Sequence, residues 1–388
     1  MGRLALAVKV DCAIPPGRSH AALVQVLGNP LVKFEKKPDC NYDLRCEKNI
    51  SGGAQVVQLR GDFMESTTLN HQASTNEPVF AGGLRENKHL FGYKPFLVQH
   101  NLSRSGLFRL PRLREVGREL LKRERSGRAL EAAVSLPSWK ESTAGARLSK
   151  EDQFEKALDE LDSGTLASSC KLTALSEVDP AYDAVLRDAI GQLAAELGVP
   201  FDDITWSMIT VFITAPNVLT RFHSDWEQNF LLQVQGEKDV HLYDRNDLIV
   251  FPQVAFEELC KGNPAPAPYR EEFKDRGTVF RIEPGIGVHH PVNAPHSVAN
   301  GNFVSISVTV VFCTKELDDI SRVHQANLFL RSVGFRPPFP DLSTRRDRIK
   351  ASLFRGISGP RDCEKALCRG YRRLTYPARM LRDILRRA

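Results

Sequence analysis

Apolar positions in the first half of the chain recur at helical spacing. Leu110, Leu113, Val116, Leu120 and Leu121 fall three or four residues apart, with Arg and Lys between them. Residues at those steps share one face of a helix, so the segment predicts an amphipathic helix with its charges in water. Ser149, ahead of Lys150, Glu151 and Asp152, suits an N-cap opening a helix through about Leu161. Residues 178–200 give the plainest helix. Asp179 can cap it, Pro180 can sit in its first turn, and Val185, Leu186, Ile190, Leu193 and Leu197 form its stripe before Gly198 and Pro200 stop it.

From residue 204 the period changes. The run ITWSMITVFITAP is β-branched and aromatic, which predicts a strand. VHLYD (240–244), LIVFP (248–252), TVFRIEP (278–284), GVHHPV (287–292) and SVTVVF (307–312) are further short strand-like pieces, punctuated by Gly, Pro, Asn and Asp. Many short strands with turn signals predict a sandwich or barrel, and KPFLVQHNL (94–102) has the character of an edge strand leading into it. In 305–310, Ser305, Ser307 and Thr309 alternate with Ile306, Val308 and Val310. The hydroxyls either face inward and line a polar pocket or face outward as plain surface. Leu317, Ile320, Val323 and Leu328 predict a helix from Lys315, ended by Gly334, Pro337 and Pro338. The chain therefore divides into an extension (1–85) without a legible motif, a strand-rich domain (86–314) and a basic helical region (315–388).

Composition adds little to this and charge adds more. Of 388 residues, 42% are hydrophobic and 26% charged, ordinary for a globular protein. No apolar run approaches the roughly 18–20 residues of a spanning helix, and Lys9 and Asp11 interrupt the short apolar start that a signal peptide would need. The eight cysteines are scattered with no C-x-x-C, which points to reduced thiols and a cytoplasmic location; Cys40 and Cys46 lack the further donors of a zinc site. The net charge of +6 is uneven: from Leu342 onward 14 Lys/Arg stand against 4 Asp/Glu. Such a tail can serve nucleic acid, an anionic membrane or an acidic partner. Its apolar residues Leu374, Leu381, Ile384 and Leu385 favour instead a helix docked on the body or on a second copy of the chain, as in a homodimer.

The candidate chemistry lies in TRFHSDWEQNFLLQVQGEK (220–238). On an extended strand His223 and Asp225, two apart, project to the same face. An imidazole and a carboxylate are two-thirds of the 2-His-1-carboxylate set that holds Fe(II) with positions left open. A third ligand is offered by GIGVHHPVNAPHSV (285–298), where His289, His290 and His296 compete.

H-x-D, a following lysine and a late P-H-x-V together resemble the JmjC and cupin-like Fe(II)/2-oxoglutarate oxygenases, and among them the asparaginyl-hydroxylase branch that inhibits hypoxia-inducible factor. The resemblance begins near residue 89. It implies a fold that is mainly β with α, a double-stranded β-helix (cupin or jelly-roll) core flanked by N-terminal and C-terminal helices. It implies His223, Asp225 and His296 as catalytic metal ligands, with Thr220, Asn229 and Lys238 binding 2-oxoglutarate. Gly285 to His296 matches the family's G-D-x-x-x-x-P-x-x-x-x-H except that Ile286 replaces Asp, and His289 and His290 stand where bulky or apolar residues usually sit. His290 remains the alternate third ligand, His241 a strand-surface residue, and Trp226 and Glu227 either shape the entrance or pack. The implied activity is hydroxylation of a peptide or protein side chain. Two other functions compete: the same chemistry on RNA, a nucleoside or a small metabolite, suggested by the basic tail, and a non-catalytic cupin acting as regulator or scaffold.

Overall fold

The helical stripes of the first half and the strands of the second meet across one large antiparallel sheet. A computed structural model describes residues 22–24, 32–34, 77–126, 133–136, 149–162, 169–261, 263, 267–360 and 368–376. The chain divides into two units, Met1–Gln72 and Ala73–Ala388. In the first, β1 (Ala22–Val24) and β2 (Val32–Phe34) pair antiparallel.

The second unit opens with β3 (Phe80–Gly82) and β4 (Phe96–His100), which pair with each other. Then come α1 (Leu110–Arg125), β5 (Val134–Ser135), α2 (Lys150–Asp162), β6 (Ser169–Thr173) and α3 (Pro180–Leu197). The local signals act as expected. The Asp152 N–H donates to Ser149 Oγ (3.1 Å) and the Ala181 N–H to Asp179 Oδ1 (2.9 Å), while Gly198 ends α3 at φ 74°. Gly117 lets α1 and α2 approach, since a Cβ there would lie 2.2 Å from the Phe154 ring.

The remaining elements are β7 (Ile204–Thr214), β8 (Leu219–His223), β9 (Gln228–Gln235), β10 (Lys238–Tyr243), α4 (Gln253–Leu259), β11 (Gly277–Ile282), β12 (Ile286–His290), β13 (His296–Asn300), β14 (Ser305–Thr314), α5 (Lys315–Ser332) and α6 (Arg345–Ser358). The larger sheet runs β3-β4-β12-β9-β14-β7-β6-β5 and the smaller β11-β10-β13-β8. Phe230, Leu232 and Val234 of β9, with Ile306, Val308 and Val310 of β14, pack on Leu113, Leu120, Tyr182 and Leu193 of the helices. The next residue along each strand turns the other way, and Leu231 and Val288 join Val240, Leu242, Ile282 and Val298 of the smaller sheet. Both faces of the central strands are buried, so β9 is buried along nearly its whole length, its polar Gln228, Asn229 and Gln233 included.

Several expectations change. With α1–α3 on the outer face of the larger sheet and α4–α6 beyond, the fold is mixed α/β rather than mainly β. LIVFP forms a turn into α4, not a strand, because Asp247 Oδ1 accepts the Ile249 N–H (3.1 Å) and draws the chain into an Asx turn. β4 is not the edge, since β3 covers it. β3 lies within residues 1–85, and α5 and α6 fall in the unit Ala73–Ala388 with the sheets, which leaves the three-part division of the chain an expectation. The Ser305–Thr309 hydroxyl side is buried with Gln233: Ser307 Oγ donates to Gln233 Oε1 (2.9 Å), and Gln233 Nε2 donates to Ser305 Oγ (2.8 Å).

α5 is buried nearly all round from Ser321 to Leu328, between the sheets and α6. The Tyr371 N–H donates to Gln325 Oε1 (3.1 Å), so residues beyond α6 also rest on it. Leu374 is half-buried, while Leu381, Ile384 and Leu385 lie outside the described residues. No helix among the described residues is long and apolar enough to cross a membrane.

Candidate metal centre

β8 ends at His223, and β13 begins at His296 directly opposite it. Their rings lie 4.1 Å apart between centroids. Asp225 sits two residues beyond the strand's end, where its carbonyl accepts the Asn293 N–H (2.8 Å). Asn293 takes φ 64° to make that turn, a conformation asparagine tolerates better than most residues. The carboxylate then lies 3.9 Å from His223 Nε2 and 3.7 Å from His296 Nε2, and the three ligand atoms fall within 4.8 Å of one another. Ligands at 2.0–2.2 Å from one ion stand roughly 3 Å apart at right angles, so about 1 Å of closure is needed.

Backbone carbonyls set the tautomers. His223 Nδ1 is 2.7 Å from Arg221 O, and His296 Nδ1 is 3.0 Å from Ala294 O. A carbonyl accepts only from an N–H, so each Nδ1 carries a proton, and in the neutral ring Nε2 then presents a lone pair to the centre. Burial, helped by the neighbouring His223, pushes the pKa of His296 down to about 4, which keeps it a neutral donor. Burial alone would raise Asp225, but the positive charge that His296 and His223 carry when protonated, the Asn229 amide and the Lys171 ammonium outweigh it and hold the carboxyl below its usual range. Asn229 Nδ2 donates to Asp225 Oδ2 at 3.3 Å. Two neutral nitrogens and one carboxylate fit a divalent first-row transition metal.

A β-bulge decides where Thr220 stands. His223 pairs with His296, yet Thr220, three residues earlier, pairs with Val298, two residues later. The extra residue on β8 turns Thr220 to the His223 side, which simple alternation would not do. Val298 belongs to the inter-sheet cluster, so Thr220 borders that interior, exposed because β8 is the sheet's edge. Lys238 shares a face of β10 with Val240 and Leu242, only 4% exposed, and among the described residues it has no ion-pair partner. Burial pushes its ammonium down to about 7.

The competing histidines separate cleanly. His289 points to the helix side among Phe91, Phe96 and Phe230, accepts the Gly92 N–H (3.3 Å) at Nε2, and has Nδ1 3.2 Å from Asn229 O. It is a satisfied core histidine. His290 points to the opposite face, across from Asn229, but falls outside the close group of three. His241 lies on the outer side of β10, opposite to Val240 and Leu242. Trp226 packs against Phe256 and His324 rather than shaping an entrance, and Glu227 accepts its backbone N–H (3.1 Å).

Sequence reasoning passed over Lys171, whose charge reaches Asp225 and whose Nζ lies 5.7 Å from the Phe212 ring centroid. The inward side of Ser305 and Ser307 was one of two alternatives in the sequence, but their hydrogen bonds to Gln233 were not legible there; these and the reach of Lys171 arise only from strand register, whereas the turn at Asn293 is signalled by an Asn between two prolines.

No protein-family model matches the chain, and no curated protein sequence matches it. Among solved structures, the Escherichia coli ribosomal oxygenase YcfD in complex with cobalt and 2-oxoglutarate is similar at 14% identity and a TM-score of 0.37, over 73% of this chain and 69% of that one. Bacillus subtilis oxalate decarboxylase covers 38% of this chain and 26% of its own at 12% identity and a TM-score of 0.21. A cupin superfamily protein from Desulfitobacterium hafniense covers 27% of this chain and 66% of its own at 11% identity and a TM-score of 0.18. These superpositions are too loose to assign an activity to this chain, and none of the three singles out the asparaginyl-hydroxylase branch.

Proposed function

We propose that this protein is an Fe(II)- and 2-oxoglutarate-dependent oxygenase that hydroxylates a peptide or protein side chain, its two sheets serving as a double-stranded β-helix. The observation that carries the proposal is that the donor atoms of His223, Asp225 and His296 lie within 4.8 Å of one another, in the same interior as a buried lysine with no ion-pair partner among the described residues. When bound, the metal and the 2-oxo acid supply the oxidising chemistry. The chain's own part is to bind and orient. His223 and His296 offer Nε2, and Asp225 offers a carboxylate whose free orientation Asn229 restricts. Three protein ligands leave room for a bidentate co-substrate and dioxygen.

Lys238 answers a second need. A buried ammonium without a counter-charge is costly, and an incoming carboxylate relieves that cost with a charge-assisted hydrogen bond of about 1.5–3 kcal/mol. Thr220 is a second donor toward the same carboxylate. A scaffold protein has no use for a desolvated cation kept in the same interior as a complete ligand set, which argues against the non-catalytic reading. The preference for a peptide or protein substrate rests on the motif resemblance. Anaerobic addition of Fe(II) and then 2-oxoglutarate tests the reading: it predicts the visible charge-transfer absorption of a bidentate chelate, absent in Asp225→Ala. Full metal binding with no such absorption would exclude it.

A further inference from the structure

His290 is the last residue of β12, 2% exposed, and neither ring nitrogen has a hydrogen-bond partner among the described residues. Its ring stands 4.6 Å from that of His296 at 66°. In register it faces Asn229, whose Oδ1 is also unpartnered while Nδ2 is held by Asp225. A buried imidazole with two idle nitrogens is unfavourable unless something completes it. His324 has the same deficit, but Trp226, Phe256 and Phe339 surround it with ring centroids at 4.9, 5.9 and 5.4 Å. His290 instead borders the ligand cluster, on the inner side of its strand with Val288. By the motif resemblance, bulky or apolar residues usually sit at this position.

Direct ligation does not explain it, because His290 lies outside the group whose donor atoms fall within 4.8 Å of one another. A neutral imidazole carries one N–H donor. The group that needs a donor there is the carboxylate at the metal end of a 2-oxo acid. We propose that His290 is a positioning residue, donating its N–H to that carboxylate while Lys238 holds the far one. The inference rests on the oxygenase reading above and adds the residue that orients the co-substrate's reactive end.

The test uses Co(II) as the metal probe and 2-oxoglutarate as the ligand, both followed through the Co(II) d–d absorption of the full-length protein. His290→Leu removes the donor, and His290→Gln returns an amide N–H of similar reach; matched melting temperatures confirm both fold. His290→Leu is expected to leave Co(II) affinity within about twofold and to weaken 2-oxoglutarate by about tenfold, the scale of one lost hydrogen bond to a charged group. His290→Gln is expected to recover most of that loss and the band position of the parent. Should His290→Leu fail to fold, His290→Gln against His290→Met carries the same comparison. Unchanged 2-oxoglutarate affinity without the donor would overturn the inference. So would a tenfold loss of Co(II) itself, which would make His290 a metal ligand. Failure of the parent to take up Co(II) or 2-oxoglutarate would overturn the oxygenase reading instead, so the two failures are distinguishable.

Discussion

Replacing Lys238 by Met keeps the length of the stem and removes the charge. Burial carries this ammonium from 10.5 to about 7, with no anion beside it among the described residues. At 1.36 kcal/mol per pKa unit, that displacement corresponds to roughly 5 kcal/mol of penalty on the folded state at low pH. A folded-state pKa below the unfolded one means that between pH 7 and 10 the unfolded chain binds more protons than the native one. Stability of the parent therefore rises with pH across that window, and the penalty is fully present only below pH 7. Lys238→Met is expected to be more stable than the parent by about 2–5 kcal/mol near pH 6.5, the lower bound allowing for relaxation around the charge. The gap closes as pH approaches 10. Urea unfolding followed by tryptophan fluorescence at pH 6.5, 8 and 9.5 measures it. The variant should at the same time lose most of its 2-oxoglutarate affinity while keeping the metal. A variant no more stable than the parent, with the same pH slope, would show that Lys238 is not a desolvated, unpaired cation.

Two further predictions concern the frame around the site. Gly117→Val forces branched carbon into the Phe154 ring, so a thermal melt should show a loss of about 1–3 kcal/mol, the usual cost of overpacking, and an unchanged midpoint would mean that α1 and α2 do not cross there. Truncation after Pro340 removes α6, whose Ala351 and Phe354 are buried, and bares the polar helix α5; the melting temperature should fall by well over about 5 °C, whereas an equally stable truncation that loses salt-sensitive RNA or DNA binding would move the nucleic-acid reading to first place.

Local signals in the sequence carried the helices well. Asp179, Pro180 and Gly198 bound α3 as read, because capping depends on neighbours in the chain. The LIVFP stretch misled because its apolar residues suit a strand, while a single side chain, Asp247, decides the turn. The spacing of His223 and Asp225 was read as strand alternation, yet Asp225 stands past the strand's end and is placed by Asn293. Thr220 needs a bulge to share the side of His223, and no periodicity encodes a bulge. Which of the three histidines joins His223 and Asp225 depends on the parity of β12 and on the register of β13 against β8, both tertiary facts. Lys171 escaped notice for the same reason: its strand brings it toward Asp225 from 54 positions away in the chain.

The most direct test is a crystal structure of the protein grown anaerobically with Mn(II) and 2-oxoglutarate. One ion should be bound by Nε2 of His223, Nε2 of His296 and the Asp225 carboxylate, with bonds of about 2.0–2.2 Å, and the far carboxylate of 2-oxoglutarate should meet Lys238 Nζ. An ion held through His290 in place of His296, or a co-substrate whose far carboxylate lies away from Lys238, would contradict the account.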